Sequence, residues 1–244
     1  MTDQPEYSTQ TAYDLIDAFQ REGCPVCSLA LKSVAHYMES INYDGVSDQG
    51  FREQMKQALG FCNNHAYQWL QLAFVLGTAQ MYRDILNILV MNLREQTADD
   101  VEPNNHIVSL LLHHENQSTG DTIIHPAASC PACAHLAETE AMLVSTLVSQ
   151  LDMPAFLTAY LASTGLCIPH LRMAFSSPAS TSARNALRDH ALKTEEHLIA
   201  QLDEIIRKHD YRFRQELVGN ERGAASRAVA HVAGAKRITK LQII

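Results

Sequence analysis

Apolar residues recur along the chain at three- and four-residue intervals, the mark of one-sided helices, and alternating strand patterns are missing. Tyr13, Leu15, Ile16 and Phe19 define a helix over 9–22 that Gly23 stops. Pro25 suits a first helical turn, and Leu29, Val34, Tyr37, Met38 and Ile41 place a second helix over 27–41. Asn42 to Asp48 reads as a loop of turn and cap residues, and a helix over 48–59 follows, ended by Gly60. The next opens at Cys62 and runs through Trp69, Leu72 and Phe74 to a break at Gly77. A helix from Ala79 to Arg94 then directs Met81, Ile85, Leu86, Ile88, Leu89 and Leu93 to a core.

Residues 97–129 are rich in Asp, Asn, Ser, Thr, Gly and Pro around one apolar island, 107–112, which predicts a linker with a short helix. Beyond it the order repeats. A helix runs from Cys130-Pro131 to Leu151, and Asp152 caps another that has Pro154 in its first turn and ends at Gly165. Cys167 to Phe175 is a short helix, and after a break at 176–180 a long one spans 181–209, with Leu187, Leu192, Leu198, Leu202, Ile205 and Ile206 on its apolar side. Thr122-Ile123-Ile124 is too short to build a sheet. The predicted class is all-α, with two pseudo-repeated helical halves, 1–96 and 130–210, and a C-terminal segment, 211–244.

The repeat carries chemistry. All six cysteines fall in two matching sets: Cys24, Cys27, Cys62 and His65, then Cys130, Cys133, Cys167 and His170. Each set is a Cys-Pro-x-Cys turn followed by Gly-x-Cys-x-x-His, with 34 residues separating Cys27 from Cys62 in the first and 33 separating Cys133 from Cys167 in the second. Cys62 and His65, like Cys167 and His170, are spaced to share one helical face. Three thiolates and an imidazole suit tetrahedral zinc, so the expectation is one Zn²⁺ in each half, clamping a helical hairpin. A site with four protein ligands is closed, which favours an architectural role over catalysis. An iron–sulfur cluster is the alternative occupant, and three disulfides are the alternative chemistry. Thioredoxin-like chemistry needs a βαβ setting that this chain does not offer, and Ser28 and Ala134 after the Cys-x-x-Cys turns exclude c-type haem attachment.

The N-terminal residues lack the basic start and apolar stretch of a secretory signal, and no apolar run approaches a membrane span. The expectation is a cytoplasmic protein with reduced thiols and no membrane. The net charge of -8 divides unevenly, since residues 207–244 hold nine basic against three acidic residues and leave -14 on the rest. Within that tail, Arg207 to Arg214 interleaves basic and aromatic residues, a pattern that docks on the acidic body or grips nucleic acid through 207–240. Arg222, Arg227, Lys236, Arg237 and Lys240 suggest a cationic last helix that meets a protein partner. His36 and His135 are candidate supports beside the metals, whereas His106, His113, His114, His190 and His197 read as ordinary positions.

Tyr13-Asp14-Leu15, the Tyr43–Asp48 loop, both ligand quartets, Lys208–Phe213, Gly219 and Arg227-Ala228-Val229 resemble an uncharacterised bacterial family, a domain of unknown function with duplicated Cys-Pro-x-Cys and Gly-x-Cys-x-x-His units. The resemblance implies a helical fold and metal binding and transfers no catalytic role. Three functions follow from the residues: an interaction or regulatory module built on structural zinc, an iron–sulfur or thiol-based redox sensor or enzyme, and a nucleic-acid-binding protein.

Overall fold

The computed structural model describes residues 9–45, 47–73, 75–95, 125–213 and 215–236. Among these it is all-helical, with α1 Gln10–Phe19, α2 Pro25–Ser40, α3 Gln49–Gln57, α4 Asn63–Leu72, α5 Val75–Glu95, α6 Pro131–Gln150, α7 Pro154–Leu161, α8 Ile168–Ser176, α9 Thr181–His209 and α10 Ala224–Ala233. The linker helix expected at 107–112 lies outside the described residues, as do Phe74, His106, His113, His114, Arg214, Arg237 and Lys240.

Several helix ends follow from local chemistry. Thr9 caps α1 by accepting from the Ala12 N–H, and the Asp48 carboxylate caps α3 by accepting from Phe51 N–H at 2.6 Å. Other ends differ from expectation. Ile41–Gly45 extends α2 by a wide five-residue turn before the chain reaches Asp48, whereas the expected loop begins at Asn42. Helix α4 stops at Leu72 because Ala73 is extended, and α5 starts at Val75 and runs through Gly77, the expected break. Met153 rather than Asp152 occupies the cap position of α7. Asp152 instead accepts a hydrogen bond from the Ser180 hydroxyl, which itself caps α9.

The chain divides into two compact units, one made of Met1–Val34 with Leu136–Ile244 and the other of Ala35–His135. The boundaries fall inside α2 and α6, so the units cut across the two sequence halves. In the first unit the core is built from Leu15, Val26, Leu147, Phe156, Tyr160 and Leu187, all under 2 % exposed. The Phe19 ring meets Phe156 and Tyr160 edge-on, with centroids 5.3 and 5.8 Å away.

In the second unit Trp69 is fully buried beside Phe61, and its indole N–H donates to the Thr78 hydroxyl at 3.0 Å, so the largest core side chain is also hydrogen-bonded. Met81 and Ile85 turn α5 into this core, whereas Leu86 and Leu93, expected inside, are more than half exposed. The apolar stripe of α5 is wider than the face its neighbours cover.

Candidate metal centres

Both Cys-Pro-x-Cys turns open a helix. Cys24 immediately precedes α2 and Cys130 immediately precedes α6, each followed by a proline whose missing N–H is not needed in a first turn. Cys62 and Cys167 are the residues before α4 and α8, with extended backbones and carbonyls accepting from Ala66 and Leu171 N–H at 2.8 Å. Neither cysteine side chain caps its helix, so both sulfurs remain available to a cation. The turn before each of these cysteines is left-handed at glycine, with φ of +99° at Gly60 and +76° at Gly165. Every thiol therefore sits at or within the first turn of a helix.

The eight expected ligands gather into two quartets, but their partnership is crossed. Cys24, Cys27, Cys167 and His170 form site 1, and Cys62, His65, Cys130 and Cys133 form site 2, with the ligand atoms of each group within 4.8 Å of one another. The expected grouping, one quartet per sequence half, is corrected by this geometry. The reason lies in α2 and α6. A helix of 16 residues carries the chain about 24 Å from its own first turn. Thus α2 leaves Cys24 and Cys27 in the first unit and leads into the second, where Cys62 and His65 lie. Helix α6 starts from Cys130 and Cys133 in the second unit and leads into the first, which holds Cys167 and His170.

Tetrahedral zinc with ordinary bond lengths sets sulfurs about 3.8 Å apart and sulfur from nitrogen about 3.6 Å. In site 1 the Cys27 and Cys167 sulfurs are 3.6 Å apart, and His170 Nδ1 lies 3.4, 3.4 and 3.1 Å from Cys24, Cys27 and Cys167. In site 2 Cys62 and Cys133 sulfurs are 3.5 Å apart, and His65 Nδ1 lies 3.3, 3.3 and 3.6 Å from Cys62, Cys133 and Cys130. Both quartets fit one tetrahedral ion, each histidine facing it through Nδ1.

The electrostatics without a cation show what an ion would relieve. Hydrogen bonding with Cys167 and Cys27, then burial, pushes the Cys24 thiol up, while Cys27 is held down by hydrogen bonds from Cys167 and Cys24. Cys24 and Cys27 move in opposite directions because two adjacent thiolates repel each other. Burial, then a hydrogen bond with Cys62, pushes Cys133 up to about 12. Burial pulls His170 down, but hydrogen bonds with Cys167, Cys27 and Glu140 outweigh it and carry the imidazole up to about 11. The residues of each quartet would hold a divalent cation as thiolates and neutral imidazole, and binding would release their protons.

Sequence reasoning missed the groups behind the ligands. Glu140 Oε1 stands 3.4 Å from His170 Nε2, the ring nitrogen facing away from the quartet, as metal-bound histidines commonly require. The Ala235 N–H donates to Cys27 Sγ at 3.4 Å. His36 and His135, the candidate supports, have these neighbours: His36 is exposed beside Glu39 at 3.3 Å, and His135 stacks on Tyr37 with centroids 4.4 Å apart. His190, expected at the surface, is 7 % exposed and packs edge-on against Tyr160.

Among the described residues, four basic side chains of the tail, those of Arg207, Lys208, Arg212 and Arg227, have partners within the chain. Arg207 pairs with Glu204 at 2.7 Å and with Glu216, and its guanidinium lies 4.6 Å from the Phe213 ring centre. Lys208 donates to buried Glu221 at 2.8 Å, and Arg212 to Asp210 at 2.7 Å. Among the described residues the last helix, α10, contains Arg227 but not Arg222 or Lys236, and Arg237 and Lys240 lie outside the described residues. The Arg227 guanidinium donates to Gln201 Oε1 and to the carbonyls of Arg222 and Asn220. Among the described residues no single helix is long and apolar enough to cross a membrane.

No solved structure matches the chain. It is similar to the uncharacterized 23.9 kDa protein in the xynA 3' region of Caldicellulosiruptor sp. (strain Rt8B.4), 24 % identical over 222 residues that cover 90 % of this chain and 99 % of the relative. The family profile that matches residues 10–238 takes in both quartets, the Glu140 support and the Ala235 contact, and by that match the chain belongs to the family of unknown function DUF6062.

Proposed function

We propose that the protein binds two zinc ions, one in each crossed quartet, and that both are architectural, making the chain a cytoplasmic interaction or regulatory module. The observation that carries this reading is the gathering of three sulfurs and one imidazole nitrogen within 4.8 Å in each of two separate groups. That spacing suits the coordination sphere of a single ion, whereas an iron–sulfur cluster spreads its ligands over several irons. Four protein ligands fill a tetrahedral zinc and leave no position for substrate or water. Structural zinc contributes apparent binding free energy of roughly 10–16 kcal/mol, comparable with a whole domain's stability, so each ion fixes the unit that holds it.

Elemental analysis of the purified protein tests the proposal and should find about two zinc ions per chain with no visible absorbance. Iron with a visible chromophore, or a metal-free chain with three disulfides, overturns it. The same preparation answers the nucleic-acid reading. Because Arg207, Lys208, Arg212 and Arg227 are already held by partners within the chain, binding to DNA or RNA at physiological salt is expected to be undetectable.

A further inference from the structure

The two quartets have the same donors and unequal covers. In site 1, Cys27 is 7 % exposed, Cys167 2 % and His170 3 %; Cys24 is partly exposed. The turn after α10 lies over these sulfurs. Ala235 N–H donates to Cys27, and a methyl group added at Gly234 would stand 3.9 Å from the Cys27 sulfur and 4.0 Å from that of Cys167. The loop preceding α10 is itself anchored to α9 through the Lys208–Glu221 pair. In site 2 the histidine is buried, but Cys62, Cys130 and Cys133 are all partly exposed.

Exposure decides which thiolates meet an oxidant. Zinc holds sulfur as thiolate, the form that attacks peroxide, and oxidation of that sulfur withdraws the electron pair that bound the ion. We propose that site 2 is a peroxide-responsive thiol switch that releases its zinc as a disulfide forms, while site 1 keeps its ion. This rests on the zinc reading above.

The step begins when a site 2 thiolate attacks one peroxide oxygen. The O–O bond breaks, hydroxide leaves and a sulfenic acid remains on the cysteine. A neighbouring thiolate then attacks that sulfur, closing the S–S bond and expelling a second hydroxide. Two sulfurs give up two electrons in all, the peroxide takes them, two protons from solvent complete two waters, and Zn²⁺ departs. Cys62 and Cys133 suit the pair, because their sulfurs are 3.5 Å apart and they open different helices, α4 and α6. Loss of the ion removes the clasp between those two helix starts within the 35–135 unit.

The test uses the full chain, loaded with zinc and measured for metal content before treatment. Hydrogen peroxide is added in the presence of a chromogenic zinc chelator, and the protein is then alkylated, digested and mapped by mass spectrometry. One zinc per chain should leave at least about tenfold faster than the other, with a disulfide among Cys62, Cys130 and Cys133 and with Cys27 and Cys167 recovered in alkylated form. Simultaneous loss of both ions, earlier oxidation of the site 1 cysteines, or retention of both ions in excess peroxide overturns the switch and leaves the zinc reading standing. A chain that binds no zinc at the outset overturns both. Ala235→Pro, which deletes the N–H over Cys27, should bring the slower release toward the faster; an unchanged ratio overturns the assignment of unequal cover as its cause.

Discussion

The sulfurs of Cys27 and Cys167 lie 3.6 Å apart across 140 residues of chain. That approach joins the Cys-Pro-x-Cys turn of one sequence half to the Gly-x-Cys-x-x-His turn of the other, so zinc stoichiometry in double variants reports the crossing directly. Cys24→Ser with Cys167→Ser disables one site and should leave about one zinc per chain, whereas Cys24→Ser with Cys62→Ser disables both and should leave about none. Pairing within each half reverses the two results, and metal analysis of the purified variants distinguishes them.

Glu140→Gln keeps the shape of the side chain but removes the carboxylate behind His170. Metal affinity at site 1 should fall by about 10–100-fold, and that of site 2 should not change. Competition with a zinc chelator, read separately for the two ions, provides the measurement.

Gly60 and Gly165 occupy left-handed backbone immediately before a ligand turn. Alanine at either position should cost about 1–2 kcal/mol from backbone conformation alone. Gly165→Ala should be the worse of the two, because its new methyl meets the His190 ring at 3.2 Å, whereas that of Gly60→Ala meets Ile85 at an ordinary 3.6 Å. Urea unfolding midpoints of the zinc-loaded proteins rank them.

Burial, reinforced by the nearby charge of Lys193 and opposed by a hydrogen bond to the Ser163 backbone, holds His190 below its ordinary 6.5. The unfolded chain therefore takes up a proton that the folded chain resists. The stability contributed by the neutral ring is complete above pH 6.5 and declines as the pH falls below it. His190→Phe keeps an aromatic ring against Tyr160 and should flatten that part of the profile. Parallel urea midpoints for the two proteins at matched zinc content count against this account.

The ligand identities were legible because cysteine and histidine at fixed short spacing carry chemistry that hydropathy does not hide. Their partnership was not. Nothing in the Cys24-to-Cys27 spacing specifies which distant Cys-x-x-His turn completes it, and the answer depends on where two rigid helices deliver the chain. Helix existence followed from periodicity, but Leu86 and Leu93 show that a stripe of apolar residues does not report how much of it neighbours cover. His190 was misplaced for the complementary reason, since its polar identity suggested the surface while the packing of Tyr160 and Gly165 enclosed it. Glu140 and Ala235 gave no local signal because each acts on a residue far away in sequence.

The crossed quartets also set an order of completion during synthesis. Site 2 closes over 71 residues between Cys62 and Cys133, whereas Cys24 must wait for His170, 146 residues later. At about 5–20 residues per second, the 37 positions from Cys133 to His170 take about 2–7 s to translate, and Ala235 comes later still. The thiols made first are therefore the last to gain a full set of partners. A nascent chain emerges from the ribosome with its later-numbered cysteines ready for an ion while Cys24 and Cys27 still stand open.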